Sequence, residues 1–172
     1  DLVRSGGEPD ADPLDALQIP RVIILDTETT GVDPSRDEVI EIAAVRVIDG
    51  RPSERPEDRF HALLKNTISV GASEAVHHIS DADLQTRGVP PEAAFSALLS
   101  FLGEDPIAGH NVGFDMGMLA AHGARVGRPV STVRAYDTLT MARRLIDSPR
   151  HDLGTLVREL KLPVEPTHRA MD

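Results

Sequence analysis

Four apolar residues, Val22-Ile23-Ile24-Leu25, run straight into Asp26-Thr27-Glu28-Thr29-Thr30-Gly31. A short aliphatic run bounded by turn formers reads as a strand buried on both faces. Side chains two apart on a strand point the same way, so Asp26 and Glu28 project together from the end of a rigid element. Two carboxylates held that close repel each other and are costly to desolvate. A cation would neutralise them, and hard oxygen donors at this spacing suit Mg²⁺ or Mn²⁺. A strand that merely ends in an acidic turn satisfies the same pattern, so the rest of the chain must decide.

The remaining chain punctuates clearly. Residues 1–19 are rich in Asp, Gly and Pro without periodicity and read as a flexible acidic leader, leaving 20–172 as one domain. Val39 to Ile48 is a second strand, Gly50-Arg51-Pro52 turns the chain, and Arg59 to Leu64 makes a third strand of a meander. Ser80-Asp81-Ala82-Asp83 is a helix start. Pro90-Pro91-Glu92 opens a helix whose Ala94, Leu98, Phe101 and Leu102 keep the helical period up to Gly103. Pro106 to Gly109 is a very short strand leading through His110-Asn111-Val112-Gly113-Phe114-Asp115 into a helix to about Val126. Val133 to Tyr136 is a fifth strand, Asp137 caps a helix reaching Leu145, and His151-Asp152-Leu153 opens another through Leu160. Hairpin strands followed by strands alternating with helices indicate an α/β fold with a mixed sheet.

The 172-residue chain carries a formal net charge of −10, which argues against a broad basic surface for gripping nucleic acid. It does not exclude nucleic acid as a substrate, because carboxylates that hold metal ions present positive charge locally. Aromatic residues make up 3% of the chain, so any base-stacking platform is small. Cysteine is absent, which excludes disulfides and thiolate zinc sites and fits a reducing compartment. No apolar run approaches membrane-spanning length and no charged-then-apolar leader is present, so the expected location is cytoplasmic.

Three separated sites fit one reaction: Asp26 with Glu28, Asp115 preceded by Asn111 and Phe114, and His168 beyond a proline break. Hydrolysis of a phosphodiester needs an activated water, stabilised phosphoryl oxygens and a neutralised leaving oxygen. Two metal ions held by carboxylates supply all three, and a histidine titrating near neutrality can take the proton from water. With Leu25-Asp26-Thr27-Glu28-Thr29-Thr30-Gly31, Ala108-Gly109-His110-Asn111-Val112-Gly113-Phe114-Asp115 and His168-Arg169-Ala170-Met171-Asp172, the chain resembles the DEDDh 3′–5′ exonucleases over roughly residues 21–172. That group includes the proofreading subunit of bacterial replicative DNA polymerase.

The resemblance implies a ribonuclease-H-like fold with a five-stranded mixed sheet flanked by helices. It implies two divalent cations, Mg²⁺ or Mn²⁺, with Asp26, Glu28 and Asp115 as ligands and His168 as general base. Thr29, through its backbone, and the Val76-His77 segment are implied contacts for the 3′-terminal nucleotide, with Asn111 and Phe114 shaping its pocket. The implied product is a nucleoside 5′-monophosphate released from a 3′ end, of DNA more than RNA, with a DNA polymerase subunit as a candidate partner.

Two positions depart from the family pattern. The fourth metal-binding Asp, five residues after the histidine, would fall at position 173, one past Asp172. Asp172 itself stands about 100° away on a helix and is not expected to serve. Either the sequence stops before a closing helix, the favoured reading, or the fourth carboxylate is missing. His78 also stands where the family often has glycine.

Two other classes remain in view. A haloacid-dehalogenase-type phosphatase opens with a similar strand, although there the second acid is Asp and a later lysine accompanies paired acids. Lys65 and Lys161 lack that company. A binding or scaffold module with a degraded metal site is the non-enzymatic alternative. Asp137 is expected as a helix cap, and His61, His110, His122 and His151 as structural or solvated.

Overall fold

The structure is a computed structural model and describes residues 19–131, 134–163 and 170. Strand β1 (Arg21–Thr29) pairs antiparallel with β2 (Val39–Ile48) along almost its whole length, from Arg21 opposite Ile48 to Thr29 opposite Val39. On its other edge β2 carries β3 (Arg51–Pro52) and then β4 (Arg59–Leu63), both antiparallel. Beyond β1, β5 (Ile107–Gly109) and β6 (Ala135–Asp137) add in parallel, giving the order β3-β2-β1-β5-β6 with β4 also on β2. The helices are α1 (Glu74–His77), α2 (Asp81–Arg87), α3 (Pro91–Leu102), α4 (Val112–Arg125), α5 (Thr138–Leu145) and α6 (Leu153–Glu159).

The mixed α/β sheet is as expected, with six strands among the described residues in place of five. The additional one is Arg51–Pro52. Asp49 and Gly50 both have positive φ, 48° and 76°, which folds the chain straight back on itself as a two-residue hairpin turn. Proline is tolerated there because an edge strand need not donate on its open side.

A second difference lies in β1. Ile23 and Leu25 are buried, whereas Ile24 between them is 38% exposed and Asp26 is exposed. The strand is therefore covered on one face, not two. The reason is that α3 and α4 both pack against the face bearing Ile23, Leu25, Ile42 and Ala44, where Phe95, Leu98, Leu102, Val112, Met118 and Leu119 complete the core. Each such side chain contributes about 1.5–3 kcal/mol on burial.

A smaller cluster of Ile40, Leu63, Val70, Ile79 and Leu84 fastens the 70–87 stretch to β2 and β4. The α2 start carries the capping box of Ser80 and Asp83, and α3 begins after Pro90 and stops before Gly103. His122 is buried edge-on to Phe95, and its Nδ1 accepts the Val39 N–H at 3.0 Å. Burial holds its pKa below the ordinary histidine value, so it is a neutral structural link between α4 and β2. Among the described residues, no helix is long and apolar enough to cross a membrane.

Candidate active site

Asp26 and Glu28 leave β1 on the face away from α3 and α4. Glu28 stands directly opposite Glu41 of β2, so these carboxylates share one side of the sheet. Thr27 between them points the other way and is buried toward α4.

The second element arrives at the same place because β5 ends close to β1. A side chain at Gly109 would put its Cβ 2.8 Å from the Leu25 carbonyl oxygen, a gap only glycine leaves open. Asn111 then adopts a left-handed conformation, φ 64° and ψ 36°, which Asn tolerates better than most residues and which turns the chain into α4. Its N–H donates to Asp137 Oδ1 at 2.8 Å, and the same oxygen accepts the Leu139 N–H at 2.9 Å. Asp137 is thus the cap of α5, as expected, and also a tether for the turn before α4.

Asp115 lies in the first turn of α4, where a carboxylate is favoured by the unsatisfied N–H groups. It is 4% exposed, and its Oδ1 accepts from Thr27 N–H at 3.0 Å and from Thr27 Oγ1 at 2.7 Å. Burial pushes its pKa up to about 7, with the Thr27 hydroxyl opposing the rise and the Asp26 charge adding to it. Asp26 is raised as well. Although solvent reaches it, protein on its other sides strips part of its hydration, a backbone hydrogen bond from Thr27 opposes this, and the Glu41 charge reinforces it.

Asp115 from α4 therefore reaches Thr27, which lies between Asp26 and Glu28 on β1, and Asp26 and Asp115 are each destabilised as anions by burial and by a neighbouring carboxylate. A hard divalent cation would relieve that, and the donors Asp26, Glu28 and Asp115 are all hard oxygens, so the residues present fit such an ion. Among the described residues, no three His, Asp or Glu side chains are already drawn together around one point. Asp115 is instead turned onto Thr27.

The remaining expected residues fall in several places. Thr29 is half-buried and its hydroxyl donates to the Gly31 carbonyl at 2.6 Å. Val76 is 51% exposed. His77 is 1% exposed, its Nδ1 accepts the Ile79 N–H at 3.1 Å and its Nε2 lies 2.9 Å from Ser73 Oγ. His78 ends α1 in a left-handed conformation, φ 58°, with its N–H donating to the Glu74 carbonyl. That conformation also accounts for the glycine often found at position 78 in the family. Asn111 is exposed, and Phe114 is half-buried against the core. His168 and Asp172 lie outside the described residues. His110 and His151 make internal contacts with backbone carbonyls, as expected of structural histidines.

Glu41 escaped the sequence reading. It is fully buried, with Oε1 2.9 Å from His61 Nε2 and Oε2 accepting the Ala170 N–H at 3.2 Å. Its signal was present: an acid wedged between Ile40 and Ile42 in an otherwise aliphatic strand.

A mixed sheet that brings a helix carboxylate up to an acidic strand end is compatible with metal-dependent phosphoester hydrolysis. The chain matches the family model for exonucleases (RNase_T) over residues 23–172 and belongs to that family. It is similar to the DNA polymerase III PolC-type of Staphylococcus saprophyticus subsp. saprophyticus, 31% identical over 159 residues, covering 90% of this chain and 11% of that protein. The chain thus spans about a tenth of that relative's length. Among solved structures it is similar to Exonuclease X in complex with 5′ overhanging duplex DNA, with a TM-score of 0.66, 24% identity, and 87% and 82% of the two chains covered. It is also similar to E. coli Exonuclease I in complex with a dT13 oligonucleotide, with a TM-score of 0.76, 17% identity, and 88% and 38% covered. These likenesses show the ribonuclease-H-like fold, and family membership sets the phosphatase alternative aside. The exonuclease family is divalent-metal dependent.

Proposed function

We propose that this chain is a 3′–5′ exonuclease domain that removes nucleoside 5′-monophosphates from DNA 3′ ends, acting on single strands or frayed ends in proofreading or repair. The observation that carries the reading is the convergence of Asp115 from α4 on Thr27, between Asp26 and Glu28 of β1. The domain runs over residues 20–172 after the 1–19 leader. A DNA polymerase is its candidate partner and the cytoplasm its location.

In this reading Asp26, Glu28 and Asp115 hold two divalent cations, Mg²⁺ or Mn²⁺. The ions supply an acidified water and charge stabilisation on the phosphoryl oxygens. His168 accepts the proton of the attacking water. The backbone at Thr29, the exposed Val76, and Asn111 with Phe114 form the surround of the terminal nucleotide. His77 supports that surround by holding the 73–79 turn in shape.

A 5′-labelled single-stranded oligonucleotide tests the proposal. It should shorten stepwise from its 3′ end with Mg²⁺ or Mn²⁺ and remain intact with EDTA. His168→Ala should cripple turnover while leaving Mn²⁺ binding nearly unchanged. Activity that survives EDTA would overturn the metal-dependent reading. Inactivity of both this chain and a C-terminally extended one would favour the scaffold.

A further inference from the structure

Glu41 has no part in the chemistry proposed above, yet it is fully buried at the edge of the carboxylate face. An isoleucine at this position would complete the aliphatic run of β2 without desolvating a charge, and the acid also adds to the repulsion felt by Asp26. A carboxylate retained at such cost is held by its hydrogen bonds. Here the two oxygens are divided between two distant parts of the chain. Oε1 faces His61 Nε2 on β4 at 2.9 Å, and Oε2 accepts the backbone N–H of Ala170 at 3.2 Å. The second contact is to backbone, so it holds the path of the chain and not a particular side chain. His168 comes two residues before Ala170.

We infer that Glu41 is a positioning residue: steadied by His61 through one oxygen, it fixes with the other the backbone of Ala170 on the sheet face bearing Asp26 and Glu28. The catalytic consequence rests on the exonuclease reading and its role for His168. The contact itself does not.

Amide hydrogen exchange at Ala170, read by NMR on the intact chain without DNA, tests the contact. Glu41→Ala should accelerate exchange there at least about tenfold, and Glu41→Gln, which keeps one acceptor oxygen, by less. On single-stranded DNA with Mn²⁺, kcat should fall about 100-fold in Glu41→Ala and about tenfold in Glu41→Gln, with KM and the Mn²⁺ Kd within about threefold of the parent. Unchanged Ala170 exchange in both variants would overturn the inference. So would a loss of Mn²⁺ affinity as large as that of Asp26→Ala, which would make Glu41 a ligand. If the parent degrades no DNA, the exonuclease reading fails while the exchange result still decides the contact. Should Glu41→Ala not fold, the near-isosteric Glu41→Gln decides on the same readouts.

Discussion

Ile23 and Leu25 on one face of β1 are buried against α3 and α4, whereas Asp26 and Glu28 on the other face stand opposite Ala43 and Glu41. Alternating residues of a single strand thus serve opposite ends. The first face gathers apolar area and lowers the free energy of the fold. The second gathers like charges and raises it. A strand that ends one of its faces in two acids working against its own stability shows where function has been placed, since local conflicts of this kind concentrate at functional sites. Thr27 joins the two faces: it is buried with the core yet donates to a carboxylate of the site.

Substitutions should separate the faces. Asp26→Ala should lower 3′-end degradation by at least about 10²–10³-fold, while the melting temperature stays level or rises because a repelling charge is gone. Single-turnover assays paired with thermal melts measure both, and an active Asp26→Ala enzyme would sink the site assignment. Phe95→Ala on the packed face should cost about 3–5 kcal/mol in urea unfolding, with the folded fraction still cleaving DNA.

Asp115→Asn tests the seam between the faces. The metal-free protein binds a proton on Asp115 up to about pH 7, while the unfolded chain releases it near the ordinary value of about 4. The folded state therefore holds more protons between these limits, and the stability from this group is present at low pH and lost as pH rises through that window. In EDTA, urea midpoints at pH 5 and pH 8 should show the asparagine variant gaining on the parent toward pH 8. A constant gap would mean that Asp115 is already ionised. The smallest effect is expected for Asp137→Ala, about 1 kcal/mol from the lost cap, seen as a lower urea midpoint with modestly slower cleavage from a looser Asn111 turn.

Much of this was readable from residue order. The alternation of turn formers with aliphatic runs marked β1, β2 and β4, and the Pro90-Pro91 start and Gly103 stop bracketed α3. Asp26, Glu28 and Asp115 stood out because each follows an apolar strand at a motif spacing, and the fold brings Asp115 onto Thr27 between the other two. What escaped depended on partners distant in sequence. One-sided burial of β1 follows from where α3 and α4 dock, which no local pattern encodes. Glu41 matters only once the β1–β2 register sets it opposite Glu28. Nothing in the local sequence marked the His77 ring as buried. Arg51–Pro52 is too short for periodicity to detect.

The burial of Asp115 has one more consequence. With a pKa raised to about 7, this carboxyl is about half protonated near neutral pH, and a divalent ion that binds it displaces the proton. Cation and proton are then competing ligands for one carboxyl group. The heat of a metal titration should include the ionisation enthalpy of whatever buffer collects the proton. Tris and phosphate should thus report different enthalpies for the same binding event.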